Sequence, residues 1–328
     1  MQIIEGPDAV GKSTFINYLR KEGIMVSKPY YPKENQLRYY LHTSVLYGNQ
    51  WLERYYPSEM IYPRVKKGRE QMGNYKQFMI EAAIYPFSPV IIYLRPPLEI
   101  IKDNIKSRGD DYIKTDEEIE KMVWEYDKFM ERTTVPVIKY NYLEDDKSEI
   151  IKEAKKIEYR GTRKNPWTQG IDPDKLFFPA SLRSGNPYAK LMIIGEEPSN
   201  SAVGQGFIRP FINDSGSSLF FHECLYEAGI YKKYGMPYFT NFYKFSSHEI
   251  ESSNRNKEIL IHEIASINPF KIIILGDKLI DIFNEISGDP LYPLSLSSGN
   301  IITMDHPKSS QSNIYKKDYI YNLIDSIK

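Results

Sequence analysis

One group of residues in this chain has the types and spacing that carry chemistry: Gly6-Pro7-Asp8-Ala9-Val10-Gly11-Lys12-Ser13-Thr14, which fits G-x-x-x-x-G-K-[ST]. Its glycines let the backbone turn so that N–H groups face an anion, the lysine reaches the β and γ phosphates, and the first hydroxyl holds a divalent cation. Gly6, Asp8, Gly11, Lys12, Ser13 and Thr14 are therefore expected around ATP, with Ser13 on Mg²⁺.

The elements that must position these residues alternate. "QIIEG" reads as a short buried strand running through the phosphate loop into the helix "KSTFINYLRKEG". "PVIIYLRPP" is a β-branched run stopped by prolines, hence a central strand. Thr115 and Glu118 open a capped amphipathic helix, "VPVIKYNY" is a strand, and "KSEIIKEAKKIEYRG" is a closing helix. From about 160 to 186 the pattern lapses into Gly, Pro, Asn and Arg without periodicity. Alternation then restarts with strands in "KLMIIGEEP", "MPYFTNFYK", "KIIILGD" and "NIITMDHP", and with helices in "SGSSLFFHECLYEAGI" and "NKEILIHEIASIN". This predicts an α/β protein of two domains, residues 1–160 and 187–328, joined by a linker at 161–186, the first with a parallel sheet covered by helices.

The first half resembles thymidylate kinases and related deoxynucleoside monophosphate kinases. "EGPDAVGKST" is similar to their phosphate loop, "LERYYPSEMIYPRVKKG" to their Asp-Arg segment with Glu53 in the aspartate's place, and "RPPLEIIKDNIKSRGDDYI" to their strand exit and basic lid. The resemblance implies a P-loop fold and ATP–Mg²⁺-dependent transfer to a deoxypyrimidine monophosphate. It places Asp8 beside the sugar 3′-hydroxyl and Arg54 on the acceptor phosphate. It also puts Glu53 on Mg²⁺ or its water, Arg95 near a phosphate and Arg108 over the transferred group. Tyr55, Tyr56, Ser58, Tyr62, Tyr75 and Gln77 are candidates for the base pocket, or core.

The second half resembles the uracil-DNA glycosylase superfamily, an α/β/α sandwich. Gly195-Glu196-Glu197-Pro198, Pro210-Phe211, Thr240-Asn241 and His306-Pro307 occur in the family's order. Ser199 stands where a glycine is usual, Lys308 where a serine is common, and the cluster-binding cysteines of the nearest classes are missing. The resemblance implies that Glu196 or Glu197 is the site acid, that Phe211 and Asn241 hold the base, and that His306 assists its departure. The sequence does not choose between the two acids. It also leaves open an active glycosylase, a binding or regulatory module, and another base-directed activity. DNA is the partner this half implies. Pairing of the halves suggests control of unusual bases, as in viruses that replace thymine, and a phage source. The whole protein could instead phosphorylate a modified pyrimidine in DNA, with the second half holding the flipped base. It could also be a repair glycosylase whose kinase-like half senses nucleotides.

Composition agrees with two globular domains. In 328 residues, 43 Lys and Arg balance 43 Asp and Glu, so neither bulk charge nor its sign marks a nucleic-acid binder. One cysteine, Cys224, excludes an internal disulfide and a four-cysteine metal site. No apolar run reaches the length of a membrane span, and Met1 directly before the first strand leaves no room for a leader. A cytoplasmic chain is expected (host cytoplasm if viral), with no membrane partner. The kinase resemblance implies a homodimer.

Overall fold

The computed structural model describes residues 1–30, 32, 34–48, 50–66, 72–108, 115–161, 184–197, 211–212, 216–243, 250–276, 278–286, 300–307 and 313–326. Its contacts divide the chain into two compact units, residues 1–77 with 87–162 and residues 78–86 with 163–328.

The first unit is built on five strands, β1 (Gln2–Glu5), β2 (Val26–Ser27), β3 (Trp51–Glu53), β4 (Val90–Leu94) and β5 (Val137–Tyr140), in the order β2-β3-β1-β4-β5. Every pairing is parallel. β1 and β4 are buried along their whole length; the apolar run of β4 is what a strand covered on both faces requires, whereas β1 buries Gln2 and Glu5 beside Ile3 and Ile4. Helices α1 (Lys12–Lys21), α2 (Gln36–Leu46), α3 (Tyr56–Val65), α5 (Leu98–Arg108), α6 (Asp116–Arg132) and α7 (Lys147–Gly161) connect and follow the strands, and α4 (Asn74–Ile84) begins in this unit but counts with the second from residue 78. α6 shows the logic most plainly. The Thr115 hydroxyl accepts the Glu118 N–H at 3.2 Å, and Ile119, Met122, Val123, Tyr126 and Phe129 form one buried stripe. That stripe packs on α3, where Tyr56 meets Phe129 with ring centroids 5.9 Å apart.

The second unit has β6 (Ser184–Gly185), β7 (Leu191–Gly195), β8 (Tyr238–Asn241), β9 (Lys271–Leu275) and β10 (Ile301–Met304), in the order β10-β9-β7-β8-β6. The four longer strands are parallel, and β6 pairs antiparallel with β8. β6 lies inside the stretch read from sequence as a linker; a two-residue strand carries no periodicity to reveal it. Its helices are α8 (Gly216–Glu227), α9 (Ile230–Tyr234), α10 (Ile250–Ile267), α11 (Lys278–Ile286) and α12 (Asn313–Ser326). Met192, Ile194, Ile272 and Ile274 of the sheet close a core with Leu260, Ile264, Leu279 and Phe283 of α10 and α11. Among the described residues no helix is long and apolar enough to cross a membrane.

Candidate functional site

In the first unit β1 delivers the phosphate loop to the carboxyl end of the sheet, the edge where open α/β sheets hold ligands. Gly6 has φ +147, and a Cβ there would lie 2.7 Å from the Leu94 carbonyl oxygen. Gly11, at φ +87, caps α1. The loop can take this path only with glycine at these points.

A cavity of about 420 Å³ opens beside the loop. Four cations face it, Lys12, Lys28, Arg54 and Arg108, together with the carboxylates of Asp8, Glu53 and Glu59 and the hydroxyls of Ser13, Ser58 and Tyr62. The structure thus brings Asp8, Gly11, Lys12, Ser13, Glu53, Arg54, Ser58 and Arg108, all chosen from sequence, to one space. Gly6 shapes the turn beneath it, and Thr14 is exposed on α1. Tyr55, a candidate for the base pocket, is fully buried; its hydroxyl meets Thr43 at 3.2 Å and the Tyr40 carbonyl at 3.2 Å. Tyr56 is also core, and Gln77 accepts from the Arg132 Nε at 3.0 Å. Arg95 does not line the cavity. Its guanidinium grips Asp127 through Nε and Nη2, each at 3.1 Å.

Arg54 is the most constrained cation. Its backbone is left-handed, at φ +64, and its N–H closes onto the Ile4 carbonyl at 3.0 Å. Its guanidinium pairs with Asp8 and donates to the Tyr62 hydroxyl at 2.7 Å, while Tyr62 donates to the other Asp8 oxygen at 2.7 Å. Burial alone raises the Asp8 carboxyl, but Arg54 and Lys12 outweigh it and hold Asp8 below its usual range. Lys12 is turned inward onto the Gly6 carbonyl, at 2.8 Å, and the Pro7 carbonyl. Burial, then the Arg54 charge, pushes the Lys12 ammonium down to about 7 against the pull of Asp8, Glu5 and Glu53.

Glu5 was not singled out from sequence. It is fully buried at the end of β1 and accepts from the Tyr55 N–H and the Ser58 hydroxyl, each at 2.8 Å, which ties the start of α3 to the phosphate loop. Burial raises its pKa, only partly offset by Arg54. Lys28, 3.5 Å from Glu53, was missed because nothing in "VSKPYY" marks it.

In the second unit Gly195, Glu196, Phe211 and Asn241 gather at the carboxyl ends of β7 and β8, while His306 follows β10, beyond β9. Gly195 pairs with Asn241 across those strands. A Cβ on Gly195 would lie 2.6 Å from Phe211 Cζ and 2.7 Å from Asn241 Oδ1, so the missing side chain is what lets ring and amide converge. Glu196 follows immediately, with its carboxylate 2.9 Å from the Lys278 ammonium of α11, whereas Glu197 is exposed. His306, just past β10, is exposed and its Nδ1 lies 3.1 Å from the Pro307 carbonyl. Pro198, Ser199, Pro210 and Lys308 lie outside the described residues.

Residues 182–322 match the family model described as the Uracil DNA glycosylase superfamily. The C-terminal half carries a uracil DNA glycosylase superfamily domain. Gly195, Phe211, Asn241 and His306 all fall within the matched residues. Comparison with the curated proteins returns no match. Among solved structures, the N-terminal region is similar to the YorR protein from Bacillus subtilis in complex with phosphorylated GDP. Identity is 24% over 48% of this chain and 94% of that one, with a TM-score of 0.40. It is also similar to deoxyadenosine kinase from M. mycoides with bound dCTP, at 19% identity, 48% and 100% coverage and a TM-score of 0.32. The first unit's own phosphate loop sits between β1 and α1 of a parallel sheet, as the motif requires.

Proposed function

We propose that the N-terminal unit transfers the γ-phosphate of ATP to a deoxypyrimidine monophosphate (dTMP, dUMP or 5-hydroxymethyl-dUMP), and that the glycosylase-superfamily domain recognises or excises a base. The observation that carries the first part is the single cavity in which phosphate-loop residues Lys12 and Ser13 face Arg54 and Arg108. Phosphoryl transfer is mostly positioning and charge neutralisation, and this space supplies four cations within one cleft.

In this reading Lys12 leaves the Gly6 and Pro7 carbonyls to meet the β and γ phosphates, whose charge restores its proton. Arg54 holds the acceptor phosphate, Arg108 closes over the moving group, and Asp8 faces the sugar 3′-hydroxyl. The Ser13 hydroxyl and Glu53 carboxylate suit Mg²⁺, a hard cation commonly held by one or two side chains plus phosphates. Among the described residues there is no cluster of three or more acidic, His or Cys ligands that would hold a metal without a nucleotide. Bound Mg²⁺ would neutralise charge on the phosphate oxygens. In the second unit Phe211 stacks on the base, Asn241 reads its edge, Glu196 or Glu197 is the site acid and His306 donates to the base.

The choice of a monophosphate is tested by comparing dTMP with thymidine as acceptors. A monophosphate kinase turns over dTMP at least a hundredfold faster at equal concentration; equal rates would make it a nucleoside kinase. Uracil release from single-stranded DNA, measured for wild type, Glu196→Gln and Glu197→Gln, tests the second part. Loss in one variant alone assigns the acid, and no release by the wild type leaves base recognition without excision.

A further inference from the structure

The ring of Phe211 reaches Gly195 and Asn241 through an unusual backbone. Phe211 has φ +58, a left-handed conformation that an aromatic residue seldom adopts. Its carbonyl oxygen is held by His222 of α8, whose Nε2 lies 3.0 Å away. On the other side of the imidazole, Nδ1 is 2.5 Å from the Tyr231 hydroxyl of α9. A carbonyl only accepts, so Nε2 carries the proton, and Nδ1 of the neutral ring accepts from Tyr231. His222 is fully buried, and burial pushes its pKa down to about 4, so the ring is neutral near pH 7. Burial likewise keeps the Tyr231 phenol protonated. The result is one ordered chain of donors from Tyr231 through His222 to the Phe211 backbone.

We infer that His222 is the positioning residue of the base site: it pins the left-handed backbone of Phe211 and so sets that ring as the platform for an extruded base. The ring is flanked by Phe221 at 5.2 Å and Phe239 at 6.0 Å, and Phe211 remains half-buried, so its neighbours fix the plane without closing it off. Without the bond from Nε2 the Phe211 backbone is free to return to negative φ, which redirects its Cβ and carries the ring away from Gly195. Neither His222 nor Tyr231 touches the base in this arrangement; both act through Phe211. The inference rests on the reading of Phe211 as a base platform.

The test uses the full chain and two single-stranded DNA oligonucleotides, identical except for one uracil or one abasic site at the same position. The ratio of their affinities isolates the contribution of the base, and thermal unfolding checks that each variant folds. Stacking on one aromatic is worth roughly tenfold or more in affinity. Phe211→Ala and His222→Leu are each expected to reduce the uracil-to-abasic ratio about tenfold while leaving abasic binding unchanged. His222→Gln, whose amide can still donate to the Phe211 carbonyl, is expected to restore most of it. Should His222→Leu fail to fold, Tyr231→Phe, which removes only the hydroxyl that fixes the tautomer, is expected to lower the ratio about threefold. If Phe211→Ala lowers the ratio and neither His222→Leu nor Tyr231→Phe does, the positioning role is overturned and the platform stands. A ratio unaffected by Phe211→Ala, or no uracil preference in the wild type, removes the platform reading and the positioning role with it.

Discussion

Arg54 and Asp8, 46 residues apart in sequence, form an ion pair that Tyr62 closes into a ring by bonding to both. A guanidinium can serve Asp8, Tyr62 and Ser58 at once because its donors form a rigid fork. Arg54→Lys is therefore expected to lower kcat/KM for the acceptor by about 10²-fold while leaving ATP binding near wild type. Steady-state kinetics with each substrate varied separately will show it.

Lys12 has a pKa of about 7 with its ammonium on the loop's own carbonyls. ATP phosphates favour the charged form, so binding above pH 7 must take up a proton at Lys12, and binding at pH 6 need not. Titration calorimetry in buffers of different ionisation enthalpy should find uptake approaching one proton at pH 8 and falling towards pH 6. Uptake that does not change with pH contradicts this.

Gly6 and Gly23 separate two meanings of glycine. Both have positive φ, but a Cβ at Gly6 meets a backbone carbonyl oxygen at 2.7 Å, whereas one at Gly23 meets nothing within 4 Å. Gly23→Ala should cost about 1 kcal/mol, the ordinary left-handed penalty, and keep ATP binding. Gly6→Ala should cost more than about 2 kcal/mol and abolish ATP binding, because the loop must move. Urea unfolding and nucleotide titration of both variants compare them directly.

His222 gives the second unit an acid limit. Folded, its imidazole stays neutral down to about 4; unfolded, it takes a proton near 6.5. Between these values the unfolded chain binds more protons, so stability falls as pH drops from 6.5 to 4, by about 3 kcal/mol in all. Urea unfolding of the second unit should follow that slope, and His222→Gln, which has no proton to gain, should flatten it.

Much of this was legible in the sequence because it rests on local rules. The phosphate loop, the Thr115 cap, the apolar stripe of α6 and the apolar strands β4, β7 and β9 each follow from spacing or residue type. The gathering of Asp8, Lys12, Ser13, Glu53, Arg54 and Arg108 came from motif order. What was not legible depends on partners far along the chain. Arg95 lies at a strand exit, like a phosphate ligand, yet Asp127 of α6 holds it. Tyr55 follows Arg54 directly, but the strand's end turns it into the core. Glu5 and His222 gain their roles only when Ser58 and Tyr55, or Phe211 and Tyr231, fold against them.

The most direct test of the central claim is transfer of label from [γ-³²P]ATP–Mg²⁺ to a panel of dTMP, dUMP, 5-hydroxymethyl-dUMP, dCMP, dGMP and duplex DNA containing 5-hydroxymethyluracil, with Lys12→Ala as the blank. Label is expected in one pyrimidine diphosphate, at a rate at least about 10³-fold above Lys12→Ala. Label in no free nucleotide, or in the DNA alone, would contradict it.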